Sequence, residues 1–258
     1  MLAGQVEGVP DYVGLLREMC DDFDQFQQRE GYTLNPKVRD PAQVTLLYGL
    51  TAHAHYMVRR CLPILAESTI AAIPIVRLVF ECGVMAQWLR FVPGSEMTLM
   101  DEFDGHMGRV IDDLESSAEP GWRERAAELR GGLTEIPDLS EAPRAYPARI
   151  RRICESFYGG TDLYRDYRVL SAHTHAGAQL ATTWLVSDAA GSRVLDKPRE
   201  SLSIEFVGRT ALSALGWSSR AFDDLVAESP RSNFLDSVEQ RSQLPTRLRI
   251  KDTVQVVT

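Results

Sequence analysis

One pair of charged residues lies in an apolar stretch, where burying two charges does little for the stability of the fold. Arg77 and Glu81 are four residues apart in an otherwise apolar stretch, so a helix there places both on one face. Taking such charges out of water costs on the order of several kcal/mol per ion before pairing returns part of it. The pair is therefore either a structural ion pair, or an arginine that holds an anion or a catalytic carboxylate with Glu81 as orienter or base.

A second polar group lies on a later predicted helix. Rotation by about 100° per residue puts Tyr164, Arg168, Ser171 and His175 on one stripe, beside an apolar stripe that contains Tyr167. A histidine at the edge of a core keeps access to water, although a core histidine with satisfied hydrogen bonds is the alternative. The two groups together predict catalytic residues His175, Arg168, Ser171 and Glu81, and ligand-binding residues Arg77, Tyr167 and Tyr164.

The spacing of Arg168 and His175 resembles the signature of HEPN ribonucleases, an Arg and a His separated by four to six residues on one helix. The resemblance implies that His175 acts on a ribose 2′-hydroxyl, that Arg168 steadies the phosphate without a metal, and that the site forms across a homodimer. It implies cleavage of RNA in phage defence or stress response. Val169 stands where these enzymes usually have a polar residue.

A larger part of the chain, about residues 45–185, resembles an uncharacterised bacterial helical family. That resemblance implies an all-helical fold in which two helices meet, and it implies no reaction. The residues that carry it are Arg77-x3-Glu81 on an apolar helix that runs into Gln87-Trp88-Leu89, and Tyr167-x3-Ser171-x3-His175 on a later helix.

Two further patterns predict no metal and no cofactor. Histidines at positions i and i+2, as in His53-x-His55 and His173-x-His175, diverge by about 200° on a helix and do not chelate together, which leaves one histidine of each pair with Glu81 as the alternative metal site. The acidic run at residues 21–24 is interpreted as a solvated helix face. No Gly-rich phosphate loop follows a predicted strand.

Composition and charge limit the classes of partner. The formal charge of −8 argues against a surface dedicated to nucleic acid but permits a local basic site. The N-terminal sequence lacks the pattern of a signal peptide, and polar residues interrupt the apolar stretch Ile70–Val92, which is predicted to be a buried helix. We therefore expect a cytoplasmic protein with no membrane partner. RNA, a small anionic molecule and a second copy of the chain are the partners considered.

The apolar period predicts an all-α fold, a single-domain multi-helix bundle over residues 1–230. A Pro-rich surface excursion is expected at residues 131–146, and residues 231–258 are expected to be a polar, loosely ordered tail. Caps and breakers predict the helices at about 11–30, 40–62, 63–91, 95–117, 121–130, 148–158, 161–186 and 198–229.

These observations leave several functions open. The first is the HEPN-like, metal-independent ribonuclease. The alternatives are a small-molecule-binding or biosynthetic helical protein with a pocket around Arg77 and Glu81, and a non-catalytic interaction module.

Overall fold

The computed structural model describes residues 10–29, 31–35, 40–133, 149–188 and 191–254. The described residues are 70% helical and form ten helices and one small two-stranded sheet, so the predicted all-α class is confirmed. The elements are α1 Tyr12–Gln27, α2 Pro41–Glu67, α3 Thr69–Phe91, α4 Ser95–Glu115, α5 Pro120–Leu133, α6 Ile150–Glu155, α7 Gly160–Ala172, α8 Ala178–Thr182, β1 Leu185–Asp188, β2 Gly191–Val194, α9 Ile204–Asp223 and α10 Ser232–Ser242.

Helix α3 is the centre of the fold and packs mainly against α9 and α2. It is apolar on nearly every face, which is typical of a helix enclosed by others. By length and composition α3 could cross a membrane, yet most of it is buried inside this fold, as the sequence predicted. Gly83 permits the close crossing with α9, because a Cβ there would lie 2.4 Å from the carbonyl oxygen of Ala214.

A side-chain cap fixes the start of α2 where the sequence predicted it. The Asp40 carboxylate accepts a hydrogen bond from the Ala42 amide at 2.7 Å, and Pro41 follows as the first helical residue. The expected break at Pro63 is wrong, because α2 continues past that exposed proline to Glu67. The break occurs instead at Ser68, whose extended backbone begins α3.

The predicted long helix over residues 161–186 is also wrong. Helix α7 ends at Ala172, and a turn, the short α8 and an antiparallel β1–β2 hairpin follow. In that hairpin Leu185 pairs with Val194 and Val186 with Arg193. The apolar period after residue 172 therefore comes from a turn and a strand rather than from a continued helix.

The chain after the hairpin is anchored at the start of α3. The Glu200 carboxylate accepts hydrogen bonds from the hydroxyls of Ser68 and Thr69 and from the Ile70 amide. Burial opposes ionisation of Glu200, but these hydrogen bonds together lower the pKa of its carboxyl. The carboxylate satisfies donors that the first turn of α3 would otherwise leave unpaired.

The C-terminal residues belong to the packed fold up to residue 254, so the expectation of a loose tail from residue 231 is wrong for them. Helix α10 covers Ser232–Ser242, and the Leu248 amide donates to the Gln87 side-chain oxygen at 3.0 Å. Ile250 forms an isolated bridge with Phe157. In the expected surface excursion, residues 131–133 belong to α5, and residues 134–146 lie outside the described residues.

Candidate functional site

Arg77 contacts three side chains. Glu81 lies on the same helix, α3, and Tyr167 and His175 lie on a distant segment of the chain. Its guanidinium lies 3.0 Å from the Glu81 carboxylate and donates to the Tyr167 hydroxyl at 2.9 Å. Its second terminal nitrogen lies 3.3 Å from Nε2 of His175. The two predicted groups therefore form one cluster where α7 and the turn after it cross α3.

The cluster lies at the edge of the core rather than inside it. The side chains of Arg77 and Glu81 are 19% and 25% exposed. The Arg77 guanidinium carbon also lies 5.2 Å from the centre of the Tyr167 ring, and that ring packs near Phe80 of α3. Because Glu81 balances its charge and Tyr167 and His175 contact it, Arg77 is held in one position.

The contact with Arg77 defines which nitrogen of neutral His175 carries the proton. A guanidinium only donates hydrogen bonds, so Nε2 of His175 must accept from Arg77. The ring proton is then on Nδ1. His175 is exposed, so it offers an N–H donor toward solvent.

Local side-chain hydrogen bonds end α7 and turn His175 toward α3. The Thr174 hydroxyl donates to the Leu170 carbonyl at 2.8 Å, and Nδ1 of buried His173 donates to the Val169 carbonyl at 2.9 Å. The amides of His173 and Thr174 bond three residues back, which tightens the last turn. The helix therefore ends just before His175.

A concavity of about 470 Å³ lies beside the cluster, at the end of α7. This volume is in the range of small-molecule sites. The buried hydroxyl of Ser171 has no hydrogen-bond partner among the residues that the structure describes. Arg168 is exposed and makes no hydrogen bond or ion pair with any residue that the structure describes. The walls include Tyr164, Tyr167, Arg168, Ser171, His175 and Gln179.

The predicted residues form two groups that differ in their contacts. Arg77, Glu81, Tyr167 and His175 touch one another, whereas Arg168 contacts none of them directly. The expected alignment of Arg168 and His175 on one helix is wrong, because His175 lies after the end of α7. Both nevertheless line the same concavity, together with Ser171 and Tyr164.

Tyr164 extends this wall along α7. Its ring stacks on that of Tyr167, with the ring centres 6.0 Å apart and the planes at 23°. The Arg151 guanidinium lies 5.7 Å above the Tyr164 ring. Aromatic and cationic groups therefore alternate on this surface.

Cys82 follows Glu81 on α3 and is buried. Burial raises the pKa of the neighbouring Cys82 thiol to about 12, and the charge of Glu81 adds to the shift, so the thiol remains protonated and weakly reactive. Across the residues that the structure describes, no three His, Cys, Asp or Glu side chains are grouped to hold a metal ion.

Sequence reasoning missed a second buried polar network under α1. Nε2 of His55 lies 2.8 Å from the Ser219 hydroxyl, and the almost fully buried Arg231 pairs with Asp22 at 2.6 Å. Asp22 was expected on a solvated face, which is wrong for that residue, although Asp21 is exposed. The sequence signal for this network was the acidic run, because the buried Arg231 needs a carboxylate and Asp22 supplies it.

No protein-family profile, no curated protein and no solved structure matches this chain.

Proposed function

We propose that the protein binds a small anionic molecule in the concavity at the end of α7, without a metal ion. Arg168 supplies the positive charge, and the Nδ1–H of His175 and the Ser171 hydroxyl supply hydrogen bonds. Arg77, Glu81 and Tyr167 hold the wall in position. The observation that carries the proposal is the Arg77 contact with both Tyr167 and His175, since each of these lines the concavity.

The arrangement of charge supports an anion rather than a cation. Arg77 is neutralised by Glu81, which leaves Arg168 as the charged wall residue that no described carboxylate pairs. A charge-assisted hydrogen bond from arginine is stronger than a neutral one. The Ser171 hydroxyl, which no described residue bonds, is the kind of buried polar group that a ligand satisfies.

The proposal is tested with inorganic phosphate as the probe, by calorimetric titration of the intact chain. Arg168→Ala should weaken binding roughly tenfold or more, which is the usual effect of losing one hydrogen bond to a charged group. The melting temperature should stay close to that of the unaltered protein, because Arg168 is exposed and unpaired with described residues.

Arg123→Ala is the matched control, since Arg123 is an exposed arginine on α5 outside the concavity. Its affinity for phosphate should equal that of the unaltered protein. If Arg168→Ala bound phosphate as tightly as Arg123→Ala, the proposal would be wrong. Mass spectrometry of the natively purified protein would then show whether any small molecule is retained at all.

A HEPN-like, metal-independent ribonuclease is a second candidate, because Arg168 and His175 line one concavity. In that function Arg168 would steady the scissile phosphate and His175 would exchange a proton with a 2′-hydroxyl. Arg77 occupies Nε2 of His175, so His175 could serve as a base at that nitrogen only after Arg77 moves. This requirement ranks the ribonuclease below ligand binding.

Incubation of single-stranded RNA with the protein and a chelator distinguishes the two. A ribonuclease should cleave, and both Arg168→Ala and His175→Ala should abolish cleavage while the circular dichroism spectrum is retained. Intact RNA at high protein concentration would eliminate this candidate and leave phosphate binding unaffected.

A further inference from the structure

A second concavity of about 520 Å³ lies along α7 beside the first. Its lining is mainly apolar, with Val169 and Ala172 as carbon surface and Tyr164 as the aromatic wall. Thr161 lies toward the start of the helix. The two concavities share Tyr164, Arg168 and Ala172, so they form one continuous surface.

The two parts of this surface differ in chemistry. At the end of α7 are the Ser171 hydroxyl, His175 and Arg168, which suit an anionic group. Toward the start of α7, Tyr164 suits a flat ring, because aromatic rings stack on tyrosine with little dependence on ring identity, and Val169 and Ala172 continue the carbon surface to the end of the helix. Tyr164 and Ser171 are seven residues apart, or about 10 Å along the helix axis. That separation is comparable to the distance from the base to the phosphate of a mononucleotide.

The cations near the groove also favour such a ligand. Arg165 lines the groove and is paired with Asp162, but both side chains are 68% exposed, and a surface pair of this kind contributes little and rearranges easily. Arg151 above Tyr164 is paired with Glu155, also at the surface. A stacked base could displace Arg151 at small cost.

We propose that the ligand of this site is a nucleoside monophosphate, with its phosphate at Arg168 and Ser171 and its base in the part of the groove formed by Tyr164 and Thr161. This inference rests on the proposed function, because it assigns the phosphate to the same concavity. It adds the base groove, which an anion alone would not need.

The test compares two probes that share the sugar and phosphate. Adenosine 5′-monophosphate carries a base, and ribose 5-phosphate does not. The intact protein should bind the nucleotide about fivefold to a hundredfold more tightly, which is the usual effect of stacking one base. Tyr164→Ala should remove this preference, whereas Arg168→Ala should weaken both probes by a similar factor.

Two variants check that the effect belongs to the ring and the groove. Tyr164→Phe keeps the ring and should keep the preference. Tyr56→Ala is the matched control, because Tyr56 also has an arginine over its ring, at 5.4 Å, and lies exposed on α2, away from the groove, whereas Tyr164 is partly buried. Its preference should be unchanged. If Tyr164→Ala fails to fold, Thr161→Phe fills the far end of the groove instead and should also abolish the preference.

The outcomes separate this inference from the proposed function. Equal affinity for the two probes overturns the base groove and leaves the anion site standing. A nucleotide preference that survives both Tyr164→Ala and Thr161→Phe overturns its assignment to α7. Failure of the protein to bind either probe, or phosphate, removes both proposals.

Discussion

At the scale of residues, the molecule contains polar side chains that contacts with neighbouring side chains fix in position. Arg77 is held by Glu81, Tyr167 and His175, and these contacts fix the geometry of the concavity. His55 is held differently: it stacks on Phe23 with the ring centres 4.2 Å apart, and Nδ1 of its ring has no partner in the described part of the chain. The first group borders open space, whereas His55 is enclosed.

The enclosure of His55 predicts a loss of stability in mild acid. Burial, with smaller effects from the charges of Arg231 and Arg59, lowers the pKa of folded His55 well below 6.5. The unfolded chain therefore binds the extra proton as the pH falls below about 6.5, and the free energy of unfolding decreases. Between about pH 7.5 and about pH 5.5 this residue should account for a loss of about 1 kcal/mol. Urea unfolding of His55→Gln should lack this part of the pH dependence.

His53→Gln provides the comparison, since His53 is exposed on the same helix. It should retain the full pH dependence, and the carboxylates titrate alike in all three proteins. If His55→Gln and the unaltered protein lost the same stability over this interval, the buried neutral state assigned to His55 would be wrong.

At the scale of elements, the sequence predicted the helix starts better than the helix ends. Asp40 and Pro41 are local signals, and their cap forms as predicted. The end of α7 depends on hydrogen bonds from His173 and Thr174 to the backbone and on contact with α3, which periodicity does not contain. The site residues were predictable, because charges in an apolar helix are anomalous. The contact between these residues was not predictable, because it depends on the turn after α7 that directs His175 toward Arg77.

The close packing of α3 against α9 gives a prediction about stability, and α3 is the helix that carries Arg77. Gly83→Ala would place a methyl group 2.4 Å from the Ala214 carbonyl oxygen, so the helices must separate. We expect the free energy of unfolding to fall by roughly 1–3 kcal/mol in urea titrations. Gly108→Ala on α4 is the matched control, since nothing lies within 4 Å of a Cβ there, and it should raise stability by about 0.5–1 kcal/mol. An unchanged stability of Gly83→Ala would mean that the close crossing is absent.

At the scale of the whole molecule, charge is unevenly distributed. The chain carries a formal charge of −8, and residues 95–133, which include α4 and α5, hold ten acidic residues against four arginines. Residues 149–172, which include α6 and α7, hold five arginines against three acidic residues. This distribution favours the approach of an anion to α6 and α7, where the concavities lie, over its approach to α4 and α5.

The central claim is that His175 and Arg168 face one anionic ligand at the end of α7. The most direct measurement is the imidazole nitrogen spectrum of the isotopically labelled protein during titration with inorganic phosphate, with the His175 signals assigned by comparison with His175→Gln. The account predicts a saturable shift of the His175 Nδ1 signal, which Arg168→Ala weakens and Arg123→Ala preserves. His175 signals that do not move at any phosphate concentration, or that move equally in Arg168→Ala, would contradict it.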